Sequence, residues 1–186
     1  MGATLSSACS SCLSLQQAWG PPGFRQYPPL LDDGSRVILR GLRDRSELNG
    51  KEGTVTAFEP VDGRYIVRLA DQQSLGVRPE NVLQATGVEI FNLRERAELN
   101  GRNGRVVGED GERYHVSVMG NVFSLAPANV RLPRGAVVRI TGLRTDSHWN
   151  GTLGTIIDCD RAAGRYVVSL LDGAQQLRVR LENARL

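Results

Sequence analysis

Apolar and polar residues alternate in short runs along residues 34–186, and similar runs occur three times. Each copy opens with two aliphatic residues two positions apart, such as Val37 and Leu39, and later carries an Arg-Tyr-x-Val run, such as that of Tyr65. The residue between the opening aliphatics is Ile38, Glu89 or Arg139, which suits a solvent face. Because a period of two is typical of half-buried strands, the pattern predicts an all-β chain almost without helix.

Each copy also contains an Asn-Gly pair followed by a further glycine three positions on. The pairs lie about fifty residues apart, and such a fixed period indicates one supersecondary unit used three times. The pairs are Asn49-Gly50, Asn100-Gly101 and Asn150-Gly151. We predict a leader followed by three units, at residues 1–33, 34–86, 87–133 and 134–186.

Within one copy the pattern predicts four strands, a turn of the type Pro79-Glu80-Asn81 and a short fifth strand. This arrangement resembles the SH3-like barrel. The Gly-x-Val opening of the second strand resembles its KOW and Tudor-like branches. The Leu-Asn-Gly-x-x-Gly-x-Val and Gly-Arg-Tyr-x-Val patterns also resemble uncharacterised repeats of protist and algal proteins. The resemblance implies three tandem small barrels. It carries little information about function. In separate barrels residues 134–186 would fold alone, though with marginal stability.

The alternative architecture is a single β-trefoil, which also uses three units of four strands and would bury all three repeated tyrosines in one shared core. The Pro-x-Asn turn followed by a short strand favours separate barrels.

The leader matches the N-myristoylation pattern M-G-x-x-x-[ST], with Gly2 as the acceptor and Ser6 at the preferred position. One myristoyl chain anchors weakly, and Cys9 and Cys12 could supply palmitoyl groups. The alternatives are a chance match in a Ser-rich tail, or a transit peptide. A Pro-rich connector follows, either a spacer or a strap over the first unit. We predict an acylated chain at the cytoplasmic face of a membrane.

The formal net charge is +3, and the third unit is the most basic, with eight basic and five acidic residues. This mixture of charges gives a less concentrated positive surface than the clustered basic face of most nucleic-acid binders. Lys51 is the only lysine, so arginine carries nearly all the positive charge. Arginine favours bidentate contacts with carboxylates and phosphates, although genome base composition produces the same bias.

Candidate partner-binding residues lie in the loop before each Asn-Gly pair. They are Arg43, Arg45, Arg94, Arg96 and Arg144, together with His148 and Trp149, which replace Glu-Leu in the third copy. The plainer interpretation is that acidic neighbours pair with these arginines on the surface. The Asn-Gly pairs themselves are interpreted as turns needing positive φ, with a ligand-contacting loop as the alternative.

Catalytic patterns have little support in the sequence. The two histidines, His115 and His148, lie in different contexts, and no Ser-His-Asp order, P-loop or metal-ligand spacing occurs. We therefore expect no enzyme, cofactor or metal. The sequence predicts an adaptor or structural subunit that binds protein partners. The alternative is a KOW-type nucleic-acid or ribonucleoprotein binder that uses the third unit.

Overall fold

The computed structural model describes residues 31–170 and 175–186, so the proposed acylation sites Gly2, Cys9 and Cys12 lie outside the described residues. The described chain forms three five-stranded antiparallel sheets. The first sheet, unit 1, contains β1 Arg36–Leu39, β2 Glu52–Glu59, β3 Arg64–Leu69, β4 Ser74–Val77 and β5 Val82–Gln84. Unit 2 contains β6 Gly87–Ile90, β7 Asn103–Glu109, β8 Tyr114–Val118, β9 Asn121–Leu125 and β10 Val130–Arg131. Unit 3 contains β11 Val137–Ile140, β12 Leu153–Asp160, β13 Arg165–Leu170, β14 Gln176–Arg180 and β15 Ala184–Arg185.

All three sheets have the same topology. Four strands follow one another as neighbours, and the fifth returns to pair with the first, giving the order β4-β3-β2-β1-β5 in unit 1. Two 3-10 turns occur in each unit, one before the second strand and one before the fifth; they are Ser46–Leu48, Pro79–Asn81, Ala97–Leu99, Pro127–Asn129, Ser147–Trp149 and Leu181–Asn183. The prediction of three tandem small β units is confirmed, because each set of strands pairs within its own sheet and not in a common trefoil.

The repeated tyrosine lies inside each unit, as its parity with the neighbouring aliphatic residues predicts. Tyr65, Tyr114 and Tyr166 are 4%, 1% and 0% exposed. Their partners on the same strand face, such as Val168 and Leu170 for Tyr166, are buried as well. Burial of these rings and aliphatics is the main stabilising contribution to so small a unit.

The glycine that opens the second strand allows two strands to approach closely. A Cβ built on Gly104 would lie 2.5 Å from Val116 Cγ1 and 3.0 Å from the Ser117 carbonyl oxygen. Gly53 and Gly154 meet the equivalent neighbours at similar distances. The repeated Gly-x-x-Gly pattern therefore combines a turn glycine with one that is required by packing.

The three units contact one another through apolar surfaces. Buried residues of units 2 and 3 form one continuous cluster, which also includes Ile38 and Leu83 of unit 1. The expectation that Ile38 faces solvent is wrong: it is 2% exposed, because the outer face of β1 lies against the neighbouring units. Hence the units share part of their core although their sheets are separate.

Polar contacts also join the units. Arg40 pairs with Glu109, and Glu52 pairs with Arg105 at 2.9 Å, both between units 1 and 2. Arg161 of unit 3 pairs with Glu89 of unit 2 at 2.9 Å. These ion pairs hold unit 2 against units 1 and 3.

The tyrosine hydroxyls extend these contacts. Tyr166 accepts a hydrogen bond from the Leu132 amide at 2.7 Å, and Tyr114 accepts one from the Leu186 amide at 3.0 Å. Leu132 follows β10 of unit 2, and Leu186 follows β15 of unit 3, so units 2 and 3 each supply the backbone partner for the other's tyrosine.

Candidate binding grooves

The Asn-Gly pair forms a turn in which only the glycine has a positive φ. In unit 2, Gly101 has φ 79°, whereas Asn100 is extended, with φ −63° and ψ 134°. The asparagine side chain instead fixes the loop: Asn100 Oδ1 accepts from the Leu93 amide at 2.8 Å, and Nδ2 donates to the Leu93 carbonyl at 3.0 Å. Asn49 and Asn150 make the same pair of bonds. This local role of asparagine accounts for its repetition without a ligand.

The fixed loop of unit 1 forms one wall of an open groove of about 660 Å³. Strand β4 and the 3-10 turn at Pro79–Asn81 form the rest. Arg43 and Arg45 of the loop line this groove together with Arg64 and Arg78, which the sequence argument did not select. Two carboxylate residues, Asp44 and Glu80, share the lining.

The equivalent groove of unit 3 has a volume of about 710 Å³ and is more basic. Its arginines are Arg144, Arg165, Arg178 and Arg180, and Asp146 is the only acidic residue among the described lining residues. Trp149 is half-buried in its wall. His148 is exposed beside it, with the two ring centroids 4.6 Å apart.

Unit 2 has a different groove in this position, with a volume of about 610 Å³. It is lined by Arg96 and by strand β9, and the Arg96 guanidinium lies 5.2 Å from the centre of the Phe123 ring. Arg94 is exposed on the same loop but does not line the groove. The three candidate loops thus line two arginine-rich grooves and one groove in which Arg96 is the single charged residue of the described lining.

The arginine before each repeated tyrosine has a structural contact that sequence reasoning missed. Arg64, Arg113 and Arg165 donate to backbone carbonyls of the fourth strand, those of Gly76 at 3.2 Å, Ser124 at 2.7 Å and Arg178 at 3.4 Å. The repetition of Arg-Tyr was visible in the sequence. The hydrogen bond that explains this repetition is visible only when the fourth strand is paired with the third.

Arg64 and Arg165 donate to backbone carbonyls and Arg178 pairs with Asp160 at 3.4 Å, whereas other groove arginines are weakly engaged by the protein itself. Arg78 and Arg180 pair with Glu80 and Glu182 at 3.8 and 3.6 Å, and these side chains are half or more exposed. Such exposed pairs contribute little stability, so the guanidinium groups are available to a ligand at small cost. Arg43 and Arg144 make no hydrogen bond or ion pair with any other described residue, and both are exposed.

Three groups with a raised pKa lie outside the three grooves. Burial raises the pKa of the Tyr114 and Tyr166 phenols and that of the Cys159 thiol, which lies at the junction of units 2 and 3. Near a hairpin turn, hydrogen bonds from the Arg113 and Glu112 amides lower the pKa of the Asp110 carboxyl. These shifts follow from packing and turn geometry.

Within residues 31–170 and 175–186, no cluster of three or more His, Cys, Asp or Glu side chains suits a metal ion. In the same part of the chain, no helix combines the length and the apolar composition needed to span a bilayer.

The chain matches no protein-family model and no curated protein.

Proposed function

We propose that this chain is a non-enzymatic adaptor or structural subunit that binds acidic segments of protein partners through the arginine-lined grooves of units 1 and 3. The observation that carries the proposal is the unit 3 groove, where four arginines face one acidic residue among the described lining. Arginine binds carboxylates through paired, charge-assisted hydrogen bonds, so a groove of this composition favours an acidic ligand.

The position of the arginines supports a shallow docking mode. Arg144 lies in the loop that Asn150 fixes, whereas Arg165, Arg178 and Arg180 lie on strands, so the backbone of both walls is held in place. Residues on strands are held in place before the ligand binds, and this reduces the ordering cost of binding. Unit 1 offers a second groove of related composition, which would add avidity for a partner with two acidic segments.

The groove can be tested with the full chain and two fluorescent ligands, a glutamate-rich peptide and a single-stranded oligonucleotide. We expect Arg144→Glu with Arg180→Glu to weaken peptide binding about tenfold or more, which corresponds to ~1.4 kcal/mol. The matched control, Arg134→Glu with Arg139→Glu, has the same charge change at exposed positions of unit 3 outside the groove and should bind nearly normally. Equal losses in both double variants would contradict the proposed site.

Trp149 supports nucleic acid as the second candidate ligand, because an aromatic ring beside arginines can stack on a base. The oligonucleotide distinguishes the two ligands. Tight binding whose logarithm falls steeply with the logarithm of salt concentration, by about 0.7 per neutralised phosphate of a single strand, would favour nucleic acid. Weak oligonucleotide binding beside saturable peptide binding supports the adaptor.

Membrane attachment is the second part of the proposal and rests on the sequence pattern at Gly2, Cys9 and Cys12. We propose that acylation of these residues holds the adaptor at the cytoplasmic face of a membrane. Gly2→Ala should release the protein into the soluble fraction, and replacing both cysteines by serine should make attachment weak and reversible. Intact mass of the native protein provides the decisive measurement: an N-terminus without added lipid would rule the anchor out.

A further inference from the structure

Strand β9 forms an open edge of the unit 2 sheet. Its only strand neighbour among the described residues is β8. Natural sheets usually protect such an edge with charges, proline or a covering segment. The corresponding strand of unit 3, β14, carries Arg178 and Arg180, whereas β9, with the sequence Asn-Val-Phe-Ser-Leu, has no charged residue or proline.

The hairpin geometry shows which backbone groups of β9 face outward. Met119 and Gly120 form a two-residue turn, so Val118 and Asn121 are the closing hydrogen-bonded pair. The backbone groups of Val122 and Ser124 therefore point away from β8. The Arg113 guanidinium already occupies the Ser124 carbonyl at 2.7 Å, which leaves Val122 at the centre of the open edge.

Two apolar side chains are exposed at this edge where polar residues would suffice. Val122 is 61% exposed, and the positions that correspond to it in units 1 and 3 are Ser74 and Gln176. Met119 is 82% exposed and has φ 49°, a conformation that favours asparagine or glycine and disfavours long side chains. A strained and exposed methionine beside an exposed valine is better explained by a partner than by folding.

We infer that β9 is a docking site for an extended segment of a partner protein, which adds a strand to the unit 2 sheet and in which apolar residues alternate with acidic ones. The apolar residues of the segment would cover Met119 and Val122. The acidic residues would meet Arg113 and Arg96, which is the only charged residue among the described residues that line the adjoining groove. Glu95 and Glu98 lie on the same loop as Arg96 but do not line the groove.

Charge also argues against a second copy of this chain as the occupant. Pairing of β9 with β9 about a two-fold axis would bring Arg96 and Arg113 of each copy near the same residues of the other copy. An acidic segment removes this repulsion. The inference is independent of the arginine-rich grooves, because it uses unit 2, whereas those grooves lie in units 1 and 3.

The test uses the full chain and two synthetic peptides in which valine alternates with glutamate. The two peptides differ in phase: one begins with valine and the other with glutamate. A strand added to a sheet edge hydrogen bonds through alternate residues only. We therefore expect saturable binding. N-methylation of the backbone amides at alternate positions of the peptide should abolish binding when those amides face β9. N-methylation at the intervening positions should leave binding intact. The Val122 amide should gain protection from hydrogen exchange. Equal binding of both N-methylated peptides, or no saturable binding in either phase, would overturn the inference.

Two variants separate docking from folding. Met119→Asn replaces a strained residue by one that tolerates positive φ, so the unfolding temperature should be maintained or rise while peptide binding weakens about tenfold. Val122→Thr keeps strand propensity and should also weaken binding. Val61→Thr is the control, because Val61 is an 85% exposed apolar residue of unit 1, and it should leave binding unchanged.

Two further outcomes would overturn the inference. If Arg144→Glu with Arg180→Glu abolishes binding of the alternating peptide while Met119→Asn and Val122→Thr do not affect it, the peptide occupies the unit 3 groove. If the chain self-associates in sedimentation experiments and Val122→Lys abolishes the association, the edge pairs with a second copy.

Discussion

At the residue scale, the repeated tyrosine joins the core of one unit to the backbone of another. The Tyr166 ring is fully buried in unit 3, while its hydroxyl accepts from the Leu132 amide at 2.7 Å and donates to the Val130 carbonyl at 3.4 Å, both in unit 2. Burial raises the pKa of this phenol, which keeps it neutral and able to donate. The same side chain therefore contributes apolar area and satisfies backbone groups that would otherwise be buried without a partner.

Removing only the Tyr166 hydroxyl should be costly for this reason. Tyr166→Phe leaves the buried Leu132 amide without its partner, and we expect a loss of about 1–3 kcal/mol in the free energy of unfolding. Tyr166→Ala also removes the ring and should cost roughly 3–5 kcal/mol. Chemical denaturation of the full chain measures both.

Tyr65→Phe is the comparison for this pair of variants, because it removes the equivalent hydroxyl, which accepts from the Leu31 amide at 3.3 Å. Wild-type stability of Tyr166→Phe would mean that another group satisfies the Leu132 amide.

At the scale of strands and loops, the sequence predicted what depends on local periodicity. Alternation placed the strands and put Tyr65, Tyr114 and Tyr166 inside, because one buried face imposes a period of two. It could not reveal the asparagine that fixes each loop, since Asn100 acts through two bonds to Leu93, seven positions earlier. The turn with positive φ predicted there is found at Gly101 but does not include Asn100.

The candidate site was predicted only in part, because pairing between strands assembles it. The loop residues Arg43 and Arg144 were selected from the sequence, whereas Arg78 and Arg180 became groove residues once the fourth strand was placed opposite the loop. The burial of Ile38 had no local signal either. It depends on contact between units, and a pattern read within one unit carries no information about the neighbour.

At the scale of the whole molecule, three separate sheets share a partly common core. Val138, Ile140 and Tyr166 of unit 3 belong to the same buried cluster as Val88 and Tyr114 of unit 2. A unit of about fifty residues is close to the lower limit for independent folding, so the loss of this shared surface is serious. The shared core therefore argues against the expectation from the sequence that residues 134–186 fold alone.

We expect residues 134–186 in isolation to be largely unfolded, and residues 87–186 to fold with lower stability than the full chain. The shorter fragment lacks the Leu132 amide and the unit 2 surface. The longer one keeps both and lacks the apolar contribution of Ile38 and Leu83 and the polar contacts with unit 1. Amide chemical-shift dispersion distinguishes the outcomes. A dispersed spectrum from residues 134–186 alone would show that the shared surface is unnecessary for folding.

The hydrogen bond between Tyr114 and Leu186 also has a consequence for synthesis of the chain. The two residues are 72 positions apart, and a ribosome adding about 5–20 residues per second needs roughly 4–14 s to translate that distance. Unit 2 is thus fully translated well before the residue that satisfies its tyrosine exists. During that interval its surface for unit 3 is open to chaperones and to other nascent chains, so translation speed over unit 3 should influence how much of the protein reaches its native state.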